Sequence, residues 1–567
     1  MKSIPLLLIC LTACLLCTDT TSGLSLHQLS APLLTAFVLS WPVSFLPEKI
    51  RAVVGLLIGE GVISVCLVDC YCQEFLMTPV TPQILSTVLL SDSRETHEFF
   101  SSFIGWYVLA HWRISAELLL AIILPLSYLP CINRKLSFKC GRRGRWVTVA
   151  FFSLCFIYEA LPTYRFLQLF GQRGDLQRME GLIFRHYHEE VPTPLHRIAF
   201  AYYSLNQSSR VLDGIMQATY SASVDSCSYL SPHIVLVIGE SYNKHHSSLY
   251  GYPLPTTPRQ QERKDKGEMY VFTDVVAPWN ITSNVFLDMF SLWENGMEAS
   301  VSDYPLFPIL FRRAGFEVNF FSNQYLQRGF HKGATNQAGN FFLAKRKLSD
   351  SLFSYRNTES SKYDMGLVEQ IESAIGRERQ AYTLDIIHLI GQHFDYSERY
   401  PQSLATFAMD DYQDRNLDAG AKEILMHYDN ATLYNDMVTD SLLSMYEREN
   451  AIVVYIADHG EEVYDDSPVH GRLFQEPTAA QARLEFEVPM WIWCSELYRS
   501  SHPDMITRIG QSVGKPFMTD GLPQLLLYLA GISCKWNDDS RNLLSPFYQC
   551  KKRVIGGSAD YDLLMRQ

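Results

Sequence analysis

Polar and apolar positions divide this chain into two regimes. In the first 165 residues uncharged stretches recur at 3–18 and at about 31–47, 52–71, 115–132 and 146–162, and Asp19 is the only charged residue between Lys2 and Glu48. Several approach the ~20 apolar residues that a helix needs to cross a bilayer, which predicts a membrane domain of about five spans over 1–165. Residues 73–114 read as an external segment, within which Glu98 to Leu109 has the aromatic mix of an interfacial helix. Residues 166–230 carry charged helical stretches such as Asp175 to Glu190 and read as a connector along the membrane surface.

From residue 231 the apolar runs shorten and alternate with helical patterns. Ile234 to Ile238 is a β-branched run that reads as a fully buried parallel strand ending at Gly239-Glu240-Ser241. A matching strand, Ala451 to Ala457, ends at Asp458-His459-Gly460. Further strands are expected at 316–322, 381–390 and 486–493, with helices at 309–314 and 365–377. This alternation predicts an α/β fold, a doubly wound domain over 231–567 with helices on both faces of the sheet.

Charge and cysteine content refine the picture. The 567 residues are 47% apolar, ample for a large core, and the net charge of −12 argues against a nucleic-acid partner. Arg134, Lys135, Lys139, Arg142, Arg143 and Arg145 crowd the loop before the last apolar stretch, which puts that loop inside, the N-terminus inside and everything after residue 165 outside. A cleaved signal peptide over Leu6–Cys17 is the competing reading of the first stretch. Nine of the 13 cysteines fall in the first 155 residues, where they read as small apolar filler, while Cys534 and Cys550 could pair in an oxidising compartment. Glu60 sits mid-span, either as a polar contact toward a lipid headgroup pathway or as a protonated or bundle-facing carboxyl.

Candidate chemistry gathers at the strand ends. A lone Glu240 reads as a solvated cap, but an adjacent carboxylate and imidazole at Asp458-His459 suit Zn²⁺, which takes O and N ligands tetrahedrally. His393 and His470 sit in similar settings. Between the two ligand strands, Pro278 to Asn280 reads as a turn and Asn284 onward as a helix, which puts Thr282 or Ser283 at a helix N-terminus. That hydroxyl is either an ordinary cap or a nucleophile beside a phosphate site.

The set V-I-G-E-S, L-Y-G-Y, T-T-P, T-S-x-x-x-x-x-M-F-S, H-x-x-G-x-H, A-D-H-G-E and H-G resembles the phosphoethanolamine transferases of the Gram-negative inner membrane, within the alkaline phosphatase/sulfatase superfamily. The resemblance implies a multi-pass inner-membrane protein with a periplasmic catalytic domain. It implies Glu240, Thr282, Asp458 and His459 as ligands of one catalytic zinc ion, leaving a second open. Thr282 is the implied nucleophile, because it keeps the family's eight-residue interval to Phe290. It further implies His393 and His470 on the phosphate or ethanolamine group or a second zinc, with His388 and Asn323 in the same pocket. The implied donor is phosphatidylethanolamine, itself a membrane lipid, and the implied acceptor is lipopolysaccharide (lipid A or core) or a periplasmic glycan.

The cysteines that flank the nucleophile in lipid A-modifying members are missing around Asn280-Ile281 and Leu287-Asp288. The C-terminal segment from Arg541 to Asp562 resembles the branch acting on lipopolysaccharide core or periplasmic glucans. No C/S-x-P-x-R motif stands in the nucleophile region, which disfavours sulfate ester hydrolysis. A phosphoglycerol transferase or phosphodiesterase of the same superfamily shares the site, and a scaffold with a degenerate site is the non-enzymatic alternative.

Overall fold

The computed structural model describes residues 4–18, 25–76, 79–82, 84–85, 106–128, 142–170, 193–324, 346–375, 380–472 and 477–566, with the side chains of 106–107, 142–145 and 208–209 excepted. The chain forms two compact units, Met1–Gln207 and Ser208–Arg472 with Glu476–Gln567. The expected helical stretch Asp175–Glu190 and the start of the interfacial segment lie outside the described residues; Trp106–Ala110 is a short 3-10 helix.

Each of the five apolar stretches contains a helix: α1 (Ile4–Leu16), α2 (Leu26–Val43), α3 (Glu48–Phe75), α4 (Trp112–Ser127) and α5 (Arg142–Leu169). Among the described residues two segments, Glu48–Phe75 and Trp146–Leu169, are long and apolar enough to cross a membrane; α1, α2 and α4 are shorter. On α5 Val147, Phe151, Leu154, Phe156, Ile157 and Leu161 are all exposed. The opposite holds where α1, α3 and α4 meet, since Leu6, Ile9, Ala13, Val62, Ile63 and Leu124 are buried together. A β-carbon on Gly59 would stand 2.4 Å from Leu124, so this glycine sets how closely α3 and α4 approach.

One buried ion pair fastens this unit. Arg197, on α6 (Pro194–Ser221), grips Asp69 of α3 through Nε at 3.0 Å and Nη2 at 2.5 Å, and Asp69 also accepts from Val80 N–H at 3.0 Å and Gln73 at 2.6 Å. Arg197→Ala strands the carboxylate and is expected to cost about 3–5 kcal/mol, whereas replacing both partners by apolar residues restores most of it. Unfolding curves of the full-length protein in detergent check this; equal losses in the single and double variants would contradict it.

The second unit is built on a seven-stranded sheet. In chain order the strands are β1 (His233–Gly239), β2 (Met269–Phe272), β3 (Glu317–Ser322), β4 (Tyr355–Arg356), β5 (Thr383–His388), β6 (Ala451–Ala457) and β7 (Met490–Cys494), in spatial order β2-β7-β6-β1-β5-β3-β4. Every neighbouring pair is parallel except those made by β7, so the sheet is mixed. β1 lies at the centre, paired with β6 from His233↔Ala451 to Gly239↔Ala457, a register that ends both strands at one level. All seven residues of β6 are buried, as a β-branched run covered on both faces requires.

Two expectations shift. The last strand begins at Met490, not Phe486, because 482–486 coil into a π-turn and Pro489 offers no N–H to a ladder. Cys534 and Cys550 are both free thiols, the first buried and the second exposed.

A second polar knot lies behind the tip of β1. His246 is fully buried between Asp429 (Nδ1 to Oδ1, 2.7 Å) and Asp465 (Nε2 to Oδ2, 3.0 Å). Burial pushes its pKa down, but Asp429 and then Asp465 outweigh that and hold it up at about 10. A raised pKa stabilises the fold fully below the unfolded value of about 6.5, and this is lost as pH rises through about 10. Thermal melting should therefore show stability falling by up to about 5 kcal/mol across that window. His246→Gln should flatten the dependence, and an unchanged slope would contradict the assignment.

Candidate metal centre

Three separate stretches of chain deliver the centre. Glu240 follows β1 directly and Asp458-His459 follow β6, so the register that ends the two strands together sets their side chains side by side. The third is α7 (Thr282–Phe290), a helix with every residue buried, and Thr282 is its first residue. Thr282 Oγ1 lies 3.2 and 3.1 Å from the two Glu240 oxygens and 3.3 Å from His459 Nε2. His459 Nε2 lies 3.5 Å from Glu240 Oε1 and 3.3 Å from Asp458 Oδ2. All four side chains are buried.

The ligand-bearing atoms are oriented from behind. His459 Nδ1 donates to Gly460 O at 2.7 Å, which turns the Nε2 lone pair toward the centre. Asp458 Oδ1 accepts from the N–H groups of Ser241 (3.1 Å) and His459 (2.7 Å), while Oδ2 has no hydrogen-bond partner among the described residues. Ser241 donates to Glu240 Oε1 at 2.8 Å from a left-handed backbone, φ 53°. Gly391 packs against Glu240 so closely that a β-carbon there would meet its carbonyl oxygen at 2.9 Å, and its own φ is 48°.

Electrostatics describe a site short of positive charge. Burial works to raise the Glu240 pKa, but the neighbouring imidazoles of His388 and His459 hold it well below the usual carboxylate range. Burial and then the Glu240 charge push Asp458 up to about 7. A cation between the two would relieve both the repulsion and the partnerless oxygen. The distances fit one. Four ligand atoms set tetrahedrally about 2.0–2.1 Å from zinc stand roughly 3.3 Å apart, and the separations above run from 3.1 to 3.5 Å.

Of the remaining expected residues, His388 borders this centre and His393 acts on the Glu240 charge, whereas His470 and Asn323 meet neighbouring scaffold residues. His388 Nε2 is 3.9 Å from Glu240 Oε2, its Nδ1 meets Ser322 Oγ at 3.1 Å, and its ring packs on Phe286. His393 is buried and pairs Nδ1 with the Phe394 carbonyl at 2.6 Å; burial pushes its pKa down to about 3. His470 meets the Tyr464 hydroxyl at 3.0 Å and lies edge-on to Tyr396, and burial pushes it down to about 4. Asn323 is used within the scaffold, donating to Asp364 at 2.9 Å and accepting from Ser361 N–H at 2.7 Å.

Two residues that sequence reasoning passed over touch the centre. Gln324, just past the end of β3, donates to Glu240 Oε2 at 3.0 Å and to Leu389 O at 2.7 Å. Arg472 donates toward His459 Nε2 at 3.1 Å and lies 3.6 Å from Glu461, whose carboxyl burial raises to about 7. Gln324 sits at a strand end like Glu240, a signal that could have found it; Arg472 stands two residues after His470 in no motif.

With this geometry in place, comparison with known proteins is informative. The Sulfatase family model matches residues 232–518. Phosphoethanolamine transferase EptC of Escherichia coli is 29% identical over 343 residues, covering 58% of this chain and 57% of that protein. Kdo(2)-lipid A phosphoethanolamine 7''-transferase of E. coli is 26% identical over 268 residues, 47% of this chain and 45% of its own. The matched part thus spans about half the length of these curated relatives. The periplasmic domain of E. coli EptC, solved in complex with Zn, superposes with a TM-score of 0.52 at 26% identity, covering 61% of this chain and 96% of that one. Over 95% of this chain and 96% of the other, the fold is shared with the integral membrane protein lipooligosaccharide phosphoethanolamine transferase A from Neisseria meningitidis, with a TM-score of 0.62 at 17% identity.

Proposed function

This chain belongs to the sulfatase family, and on that premise we propose that it is a zinc-dependent phosphoethanolamine transferase, with phosphatidylethanolamine as donor and lipopolysaccharide or a periplasmic glycan as acceptor. The observation that carries the reading is the Thr282 hydroxyl, held 3.1–3.3 Å from Glu240 and His459 inside a buried ring of ligand atoms. The relatives named for phosphoethanolamine transfer, and the Zn-bound domain among them, support it. The apolar helices of the first unit suit an enzyme tethered in the inner membrane, with residues 231–567 as its periplasmic catalytic domain.

Glu240 accepts the hydrogen bond of the Thr282 hydroxyl, which fixes that oxygen at the start of α7, and the charge that steadies it after proton loss would have to come from a bound cation. Glu240, Thr282, Asp458 and His459 would hold a zinc ion, which would supply Lewis-acid charge for the threonine oxygen and the phosphoryl oxygens. Thr282 Oγ1 forms a bond to phosphorus as the bond to diacylglycerol breaks, and the diacylglycerol oxygen takes up a proton. Phosphoethanolamine is then on Thr282, beside the N-terminus of α7, whose dipole favours the anionic group. An acceptor hydroxyl or phosphate displaces it in turn. Low pKa values keep His393 and His470 uncharged at neutral pH, able to hydrogen-bond the ethanolamine or the incoming acceptor.

Product analysis tests the reading. The full-length protein, given phosphatidylethanolamine and lipopolysaccharide, is expected to add phosphoethanolamine to the acceptor. Glycerol phosphate on the acceptor, or free phosphoethanolamine in its place, would assign the site to a phosphoglycerol transferase or phosphodiesterase.

A further inference from the structure

A second set of metal-binding side chains lies in the first unit. Cys17 at the end of α1, Cys70 on α3 and Glu117 on α4 bring ligand atoms within 4.8 Å of one another, and all three are buried. The Cys17 and Cys70 sulfurs are 3.3 Å apart. The Cys66 thiol borders them, in hydrogen-bond contact with Cys17 and Cys14.

Glu117 makes this more than a cysteine-rich packing patch. It is fully buried, and neither of its carboxylate oxygens has a hydrogen-bond partner among the described residues. An ionised group in that state is costly unless something positive faces it. Arg113, one turn before it on α4, is committed elsewhere, donating to the Leu16 carbonyl (2.6 Å), Gln73 (2.8 Å) and Glu74 (3.1 Å). Two soft thiols and one hard carboxylate form a mixed ligand set, in which the Cys17 thiol also meets the Cys66 carbonyl at 3.3 Å and the Cys70 thiol the Leu16 carbonyl at 3.9 Å.

We propose that Cys17, Cys70 and Glu117 bind a divalent thiophilic metal ion, zinc by its chemistry, at a structural site that joins α1, α3 and α4 and is separate from the Thr282 centre. Zinc takes thiolate and carboxylate ligands together, where Mg²⁺ and Ca²⁺ favour all-oxygen sets. Two thiolates about 2.3 Å from a tetrahedral ion stand roughly 3.8 Å apart, against about 2.0 Å in a disulfide. The observed 3.3 Å is nearer the metal-bridged separation. Binding replaces the two thiol protons, which leave to solvent, and gives Glu117 its counter-charge.

Cobalt(II) loading of the reduced full-length protein in detergent tests this. The Thr282 centre offers only oxygen and nitrogen, so sulfur-to-cobalt charge-transfer absorption reports the cysteine site alone. The expected result is that absorption in the wild type, its loss in Cys17→Ser and Cys70→Ser, and a weaker, shifted band in Glu117→Gln. Elemental analysis should show about one zinc per chain fewer in the double cysteine variant, while Glu240→Ala keeps the charge-transfer band. Wild-type protein that loads cobalt without a sulfur band overturns the proposal. So does thiol trapping that finds Cys17 and Cys70 joined as a disulfide in the protein as isolated.

Discussion

Thr282→Ala is expected to lower phosphoethanolamine transfer by about four orders of magnitude or more, the scale seen when a nucleophile that forms a covalent intermediate is removed. Its side chain is the only hydroxyl described within hydrogen-bond range of both Glu240 and His459. Alanine removes that oxygen without adding bulk to the buried start of α7, so the fold should survive, and Glu240, Asp458 and His459 remain as ligands for the cation. Intact-mass analysis gives a second readout: wild-type protein incubated with phosphatidylethanolamine gains one phosphoethanolamine, mapped to Thr282, and the variant gains none. An adduct on another residue, or undiminished transfer by the variant, would sink the threonine as nucleophile.

Metal removal should be as severe. Chelation is expected to abolish transfer and readdition of Zn²⁺ to restore it, because without a cation the buried Glu240 and Asp458 repel each other. Stability should follow: zinc at a thousand times its Kd adds about 4 kcal/mol to the folded state, readable as a higher Tm. Glu240→Gln keeps the shape and removes the charge, so it should lose both the activity and most of the zinc-induced Tm shift. A variant with normal Tm shift and normal activity would show that the ion is held elsewhere. Since the proposed cysteine site also binds zinc, the shift is best compared in a Cys17→Ser/Cys70→Ser background.

Much of this centre was legible before any coordinates. A β-branched run ending in Glu, and another ending in Asp-His, read as buried strands of one sheet, and the structure pairs them in register so that Glu240 and Asp458 come together. The helix start at 282 was legible from the turn before it, though choosing Thr282 over Ser283 needed the family interval as well as the pattern. Residues fixed by tertiary context were not legible. Gln324 and Arg472 lie in no periodic pattern, and their roles come from where the fold brings β3 and the segment after His470. The reversed direction of β7 also escaped, since a buried strand reads the same either way along its length. Glu117 gave no sign either, because its interest comes from the donors it does not meet.

The β1–β6 pairing also carries a consequence for biosynthesis. Ser241 and the Asp458 carboxylate it holds are 217 residues apart, so the first ligand emerges from the ribosome long before its partner exists. Closing so long a loop is slow compared with local helix formation. Zinc capture at the Thr282 centre is therefore a late event, and a chain arrested before β6 should leave synthesis without a competent site, however well β1 and α7 have formed.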